Sequence, residues 1–564
     1  MRCWLFGHSP TDIKSDLVIE LKRKRYTCTR CHRNIQWRTN PQQEFRGEPQ
    51  VTNYTEEQSG VISYVADRPS DSLIVSARAG SGKTFTIEKA AYGIKPGHLT
   101  VAVAFNKKIA QELQARLPSH VTASTMNSIG HRAWASAVNG IRLTLDADKT
   151  YRLTKANFPQ DLDDPDGEEF SAVLALTRAA KSAGIVPKGA PMGRKGIVPD
   201  DFDSWEDLAW QKDIILTDDT VPIARKVLLA SIKEAFGGTI DFDDQIYMSV
   251  LFGGRFTKYH TVIVDEAQDL SPMNHLMLQK MVGTRLIAIG DPYQAIYGFR
   301  GADSDSMENL RTLMNIPAEN VLGLTYSFRC PQVVANRQLT WVPDFKAHES
   351  CREGTVHNWI HQEGGWSIDH IPDTGVVICR NNAPLMQLAF TLIKARRPVR
   401  VLGRDIGAGL SKLLLKIGGK QHGRDLSELP ALIDEWRTDE LRRAEGKESR
   451  HSTIHDKADS LMVLCEASGA KTLGEASEFI IGLFSDVARP GVTLSSGHRS
   501  KGLEWDWVMH LDPFRVPSRF ARKAAENGNE APLRQELNLK YVIETRTKDD
   551  LVLAHLDQCV ETQS

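Results

Sequence analysis

The chain has 564 residues, 41% of them hydrophobic and 25% charged, with a formal net charge of -1. That is an ordinary globular balance for three to four domains at roughly 150 residues each, and the near-zero charge excludes recognition of any partner by bulk electrostatics, so a nucleic-acid site must gather its cations locally. No apolar run approaches the roughly 18 residues of a membrane span, and the opening MRCWLFGHSP turns polar too soon for a secretory signal.

Residues 1–45 form a small separate unit with a basic run, Lys22 to Arg25. Cys3, His8, Cys28 and Cys31 make a Cys-x4-His and Cys-x2-Cys arrangement. Zinc takes four such nitrogen and sulfur ligands tetrahedrally, and a unit this short needs a metal or a cross-link to fold. His32 competes for the fourth position. The basic run is either a phosphate contact or a solvated face. The remaining five cysteines, Cys330, Cys351, Cys379, Cys465 and Cys559, are scattered and read as reduced thiols, mostly in cores.

A polar linker (38–50) leads to a helix, TEEQSGVISYVA. A short apolar strand, SLIVSA (72–77), then runs into a glycine-rich turn and a helix. A second strand, LTVAVAF (99–105), and a second helix follow. Such alternation predicts a doubly wound, mostly parallel sheet. Residues 131–235 read as a helical insertion. Strands return at TVIVDEAQDL (261–270) and RLIAIGD (285–291). A second α/β region begins near 330, is interrupted by charge-rich helices over 405–480, and resumes at VTLSSG (492–497), WVMHLD (507–512) and LVLAHL (551–556). The expected architecture is therefore an α/β first lobe (50–130 and 236–328), an α/β second lobe (329–404 and 481–564), one helical insertion in each, and the cysteine-rich unit.

The segment ARAGSGKT (77–84) fits a phosphate-binding loop. Gly80 and Gly82 let the backbone bend, so that successive N–H groups across Ala79, Gly80, Ser81 and Gly82 face phosphates, and the following helix adds its positive end. Lys83 supplies a point charge and Thr84 a hydroxyl for Mg²⁺. A chance glycine turn is the bland alternative, but a strand before and a helix after are the context such a loop requires. The strand VIVDEAQD (262–269) delivers Asp265 and Glu266 at its carboxyl end, where ligands sit in such sheets. Asp265 is assigned to Mg²⁺ and Glu266 to the attacking water.

With DEAQD in place, the chain from about residue 54 to 556 resembles the UvrD/PcrA/Rep-like helicases of superfamily 1, with two RecA-like lobes. Its motifs stand in the family's order. YTEEQ (54–58) is similar to the adenine-reading motif and implies that Gln58 faces the base. AFNKKIAQEL (104–113) and STMNSIG (124–130) resemble motifs of the DNA channel, implying contacts from Phe105, Thr125 and Asn127, with Asn127 where the family usually has His. DFDDQI (241–246) resembles the segment before the acidic motif. GDPYQAIYGFRGAD (290–303) implies a γ-phosphate sensor, Gln294, and DNA contacts by Tyr297, Phe299 and Arg300. An aromatic face stacks on any base without sequence choice.

LTYSFRCP (324–331) implies Arg329 at the γ-phosphate and Phe328 on adenine. VTLSSGHRSKGLEWDWV (492–508) implies that His498 and Lys501 touch DNA or couple the sites, and that Glu504 binds ribose. YVIETRTKDDLVL (541–553) implies Arg546 as a second γ-phosphate finger. The N-terminal unit resembles zinc ribbons of phage-encoded proteins.

The resemblance implies an ATP-dependent DNA helicase or translocase working 3′ to 5′ on single-stranded and forked DNA. It implies ATP, Mg²⁺ and Zn²⁺, a place in the cytoplasm (the host's, if phage-encoded), replication or repair protein partners, and no membrane. The alternatives are a protein–DNA remodeller without processive unwinding and a zinc-finger adaptor with a vestigial ATPase.

Overall fold

The computed structural model describes residues 25–27, 34–36 and 54–560, except 105, 139, 160–167, 212–213, 215, 297–304, 361–362, 420–424, 444–447 and 485–489. The chain divides into two units, Met1–Thr55 and Glu56–Ser564. In the first, strands Arg25–Thr27 and Asn34–Gln36 pair antiparallel. They bracket in sequence the segment that holds Cys28 and Cys31, but Cys3, His8, Cys28, Cys31 and His32 lie outside the described residues.

The second unit opens with helix α1 (Glu56–Asp67) and holds two six-stranded parallel sheets. The first sheet comprises β1 (Leu73–Ala77), β2 (Thr100–Ala104), β3 (Val121–Thr125), β4 (Tyr259–Val264), β5 (Val282–Gly290) and β6 (Val321–Leu324), in the order β6-β1-β5-β4-β2-β3. The second comprises β7 (Thr355–Asn358), β8 (Val376–Cys379), β9 (Val399–Val401), β10 (Val492–Ser496), β11 (Trp505–Leu511) and β12 (Thr547–Ala554), in the order β7-β12-β11-β8-β10-β9. These strands are short near-continuous apolar runs because helices cover both faces.

The strand period of two divides each lobe into two cores. On the first sheet, Ile74, Val101, Val103, Val262 and Val264 face a core that also contains Trp134, Trp205 and Val227 of the insertion. Leu73, Val75, Ala77, Ala102 and Ile263 face the opposite core, with Val61 and Val65 of α1. On the second sheet, Val377, Cys379, Met509, Leu511 and Val552 share a core with Leu414, Ile433 and Leu461 of the second helical insertion. Val376, Ile378, Val508, Leu551 and Leu553 face the other side. Each insertion is thus continuous with its lobe's own core. The first is not wholly helical: Thr144–Leu145 pairs with Thr239–Ile240, a strand pair too short to show a sequence period.

Four buried charges tie the first insertion to the sheet. Helix α3 is Met126–Ala137, α4 Lys149–Asn157, α5 Glu168–Ala183 and α6 Phe242–Leu251. Asp241 caps α6 in a reciprocal capping box with Asp244. Lys149 of α4 donates to Asp244 (2.6 Å), and Lys181 of α5 donates to Asp241 (2.6 Å) and Asp244 (2.8 Å). Burial works to raise the Asp241 carboxyl, but Lys181 and the Thr150 hydroxyl outweigh it and hold it at about 2. Its contribution to stability is therefore complete above roughly pH 4 and lost as pH falls through about 2. Removing Asp244 strands the buried Lys149 ammonium without its ion-pair partner and leaves Lys181 with Asp241 alone. Asp244→Ala is accordingly expected to destabilise the protein by about 3–5 kcal/mol, measured by urea unfolding.

Among the described residues no helix is long and apolar enough to cross a membrane.

Candidate nucleotide site between the lobes

The three central strands β1, β5 and β4 are neighbours, so their carboxyl ends lie side by side on one edge. β1 runs into the loop Arg78–Gly82 and then helix α2 (Lys83–Ala91). Gly80 (φ +73°) and Gly82 (φ +77°) adopt left-handed backbone, which curls the loop. The buried Ser81 hydroxyl inside it has no hydrogen-bond partner. β4 ends at Asp265 and Glu266, and Glu266 itself is left-handed (φ +56°), a strained conformation for a side chain larger than glycine. β5 ends at Asp291.

These ends carry a connected set of polar contacts. Lys83 Nζ donates to Glu266 Oε2 (3.2 Å), and the Thr84 hydroxyl donates to Asp265 Oδ2 (3.1 Å). Gln268 Nε2 donates to Glu266 Oε2 (2.6 Å), while its Oε1 accepts from the Asp291 N–H (3.0 Å). Gln294 Nε2 donates to Asp291 Oδ2 (2.8 Å). Burial raises both members of the Asp265–Glu266 pair. Lys83 and Lys501 outweigh it at Glu266, which is held at about 2, whereas the Glu266 charge adds to it at Asp265, pushed up to about 6. One hydroxyl and one crowded carboxylate suit Mg²⁺, which takes one or two carboxylates and completes its shell with phosphate and water. Among the described residues no group of three or more His, Cys, Asp or Glu side chains forms a metal cage.

The second lobe closes over this edge. The Phe328 N–H donates to Gly80 O (2.8 Å). The Phe328 ring is 41% exposed and lies 4.6 Å from that of His348. Arg329 donates to Glu504 Oε2 (2.7 Å), and Glu504 also pairs with Lys548 (2.8 Å). Lys501 Nζ reaches into the first lobe, to Asp269 (2.7 Å) and Gln294 O (2.7 Å). Arg546 is buried, and its side chain donates to Val542 O, Leu503 O and the Thr545 hydroxyl. Gln58 is buried beneath the loop, its amide 3.4 Å from Ser81 O.

The chain matches the model of the UvrD/REP helicase N-terminal domain over residues 56–179 and 247–315. Those segments hold Gln58, Lys83, Thr84, Asp265, Glu266 and Gln294. The chain is similar to the UvrD-like helicases of superfamily 1. Among the relatives of this UvrD-like chain, F-box DNA helicase protein 1 of Schizosaccharomyces pombe is 25% identical over 93% of the chain and 60% of its own length. F-box DNA helicase 1 of Gallus gallus is 23% identical over 89% of the chain and 49% of its own length. ATP-dependent DNA helicase UvrD2 of Mycobacterium tuberculosis (strain H37Rv) is 24% identical over 86% and 77%. The chain thus spans about half to three-fifths of the two F-box relatives.

Of the residues named for DNA, Lys501 bridges the lobes at this cleft, while Phe105, Tyr297, Phe299 and Arg300 lie outside the described residues. Thr125 caps α3, accepting from the Ser128 N–H (3.1 Å), and Asn127 donates to Phe242 O (2.8 Å). His498 is half-buried on the turn after β10. Glu504, named for ribose, is engaged by Arg329 and Lys548 instead.

Four features escaped the sequence reading. Gln268 and Asp291 are polar letters inside motifs whose neighbours drew the attention. Phe242 is 55% exposed beside Asn127, and its position in DFDDQI was the available signal. The bidentate pair Arg78–Asp344 (2.8 and 2.6 Å) joins residues far apart in sequence and carries no local signature.

The close approach of the lobes makes Gly80 sensitive. A Cβ there would meet Arg329 Cβ and Ser327 Oγ at 2.6 Å, on a backbone already at positive φ. Gly80→Ala is expected to destabilise the fold by about 1–3 kcal/mol in thermal unfolding, and to weaken binding of a fluorescent ATP analogue.

Proposed function

We propose that this chain hydrolyses ATP to move along single-stranded DNA, 3′ to 5′, and thereby unwinds duplex DNA. The observation that supports the reading is the polar network joining Lys83, Thr84, Asp265, Glu266 and Gln294 at one edge of the first sheet, with Arg329 of the second lobe packed against Gly80; we assign Arg546 to the same cleft as a second arginine for the γ-phosphate. Relatives named as DNA helicases support the substrate and the activity.

Lys83 and Glu266 hold each other in this structure. A nucleotide's phosphates draw the Lys83 ammonium away, which frees the Glu266 carboxylate to orient and deprotonate a water. Mg²⁺ beside Thr84 and Asp265 supplies neutralisation of phosphate charge. Arg329 is released from Glu504 toward the γ-phosphate, so Glu504 becomes available to ribose while Lys548 still covers its charge. Arginines offered across a cleft stabilise transferring phosphoryl charge and report its departure, so the lobes close and open once per turnover. Phe328 and His348 offer rings for adenine. The strand is read as following Thr125, Asn127 and the exposed Phe242 on the first lobe, together with Phe105, Tyr297, Phe299 and Arg300, with His498 on the second. Lys501 couples the two sites. Zinc held by Cys3, His8, Cys28 and Cys31 completes the assignment; metal analysis of the purified protein checks it.

The test is steady-state ATP hydrolysis with and without oligothymidylate, followed by strand displacement on partial duplexes with 3′ or 5′ tails. Strong stimulation by DNA and displacement from 3′ tails are expected. Hydrolysis indifferent to DNA would sink the motor assignment, stimulation without displacement would leave a translocating remodeller, and displacement from 5′ tails alone would reverse the direction.

A further inference from the structure

Helix α7 (Gln332–Gln338) follows Arg329, and helix α8 (Ala531–Glu544) precedes Arg546. Midway along the latter half of α8, Tyr541 crosses the interface. Its ring is completely buried, packed edge-on against Phe345 (5.5 Å) and Tyr293 (6.3 Å). Its oxygen accepts from the Ala79 N–H in the phosphate loop (2.8 Å), and its O–H donates to Asp291 Oδ2 (3.3 Å). That same carboxylate oxygen accepts from the Gln294 amide (2.8 Å). One turn earlier on α8, Asn538 donates to Pro292 O (3.3 Å) and Ala295 O (3.0 Å), so the helix grips the whole turn that carries Gln294.

We propose that Tyr541 is a positioning residue that transmits the placement of the second lobe, through Asp291, to the γ-phosphate sensor Gln294. The inference rests on the ATPase reading above. Asp291 is fully buried; its Oδ1 accepts from the Tyr293 N–H (3.1 Å), which leaves Oδ2 to the Gln294 amide and the Tyr541 hydroxyl, and a buried carboxylate oxygen left without a donor is costly. When the Gln294 amide turns to a γ-phosphate, Asp291 Oδ2 loses that donor and keeps the Tyr541 hydroxyl. Tyr541 therefore lets Gln294 leave, and it can do so only while α8 is docked, that is, while the cleft is closed. Burial and the Asp291 charge hold the phenol well above the usual tyrosine range, so it remains a donor. The same hydroxyl pins Ala79, so that loop and sensor answer to one atom of the opposite lobe.

Tyr541→Phe removes only that oxygen and keeps the ring packing. In the full chain with oligothymidylate, it is expected to lower kcat for ATP about tenfold and to change KM for ATP less than twofold. The decisive readout is a double-mutant cycle with Gln294→Ala, in which the double variant should be no slower than Gln294→Ala alone, because Tyr541 acts through Gln294. A Tyr541→Phe variant within twofold of wild type, or a double variant slowed by the product of the two single effects, overturns the proposal. If Tyr541→Phe does not fold, Asp291→Asn breaks the relay from the first lobe, and the same loss of kcat and the same non-additivity with Gln294→Ala are required. A wild-type protein without DNA-stimulated hydrolysis would instead overturn the functional reading itself.

Discussion

Arg546→Met is expected to reduce kcat for ATP about a thousandfold while leaving the nucleotide-free protein as stable as wild type or more so. The two effects have one cause. Arg546 is a buried cation whose hydrogen-bond partners among the described residues are two carbonyls and a hydroxyl, with no carboxylate. Burial lowers its pKa to about 10, and the nearby Arg329 charge adds to the effect. Such a group is held at an electrostatic cost until an anion enters, and on the proposed function that anion is the γ-phosphate across the cleft. Methionine fills a similar volume without the charge, and replacing a buried ion by an apolar side chain is often neutral or stabilising. Arg546→Lys should be nearly as inactive, because a compact ammonium cannot reproduce the planar fork. Thermal unfolding beside steady-state hydrolysis checks both halves. A variant that loses activity and stability together would mark Arg546 as a structural residue.

Lys83→Ala should lower hydrolysis at least about a hundredfold, the scale on which preorganised donors to a developing charge act. The structure adds a second consequence. Lys83 is the leading positive influence that holds Glu266 at about 2, with Lys501 next. Without it the Glu266 carboxyl titrates at a higher pH, and the shared proton of the Asp265–Glu266 pair is redistributed. Residual hydrolysis in Lys83→Ala should therefore fall away at a higher pH, as the medium is acidified, than in wild type. The pH profile of kcat/KM, which reports groups of the nucleotide-free enzyme, shows this in both proteins, and equal acid limbs would remove Lys83 from control of Glu266.

The strings that line the candidate nucleotide site were legible because each is contiguous: a loop needs its glycines at fixed spacing, and a strand delivers its acidic pair at one end. The α/β alternation was legible because parallel strands are short apolar runs between amphipathic helices. The relations between strings were not. Tyr541 reads as a core aromatic until its hydroxyl is seen against Ala79, far away in sequence. No local pattern singles out Lys149 or Lys181, yet both are completely buried against Asp241 and Asp244. Arg546 was assigned by its place in a motif, but that it stands without a carboxylate is a property of three-dimensional packing. Sequence pattern reports what an element offers, and only the docked lobes show which offers are taken up.

The continuity of each helical insertion with the core of its own lobe has a mechanical meaning. Trp134 and Trp205 cannot part from Val101 and Val103 without opening a buried apolar seam, so the insertion has no freedom to swivel on its own. Any rotation of one lobe against the other carries its insertion through the same angle, and the arc swept grows with distance from the pivot. On the proposed function, a small closure around a nucleotide would thus become a larger stroke at the far end of a stiff lever.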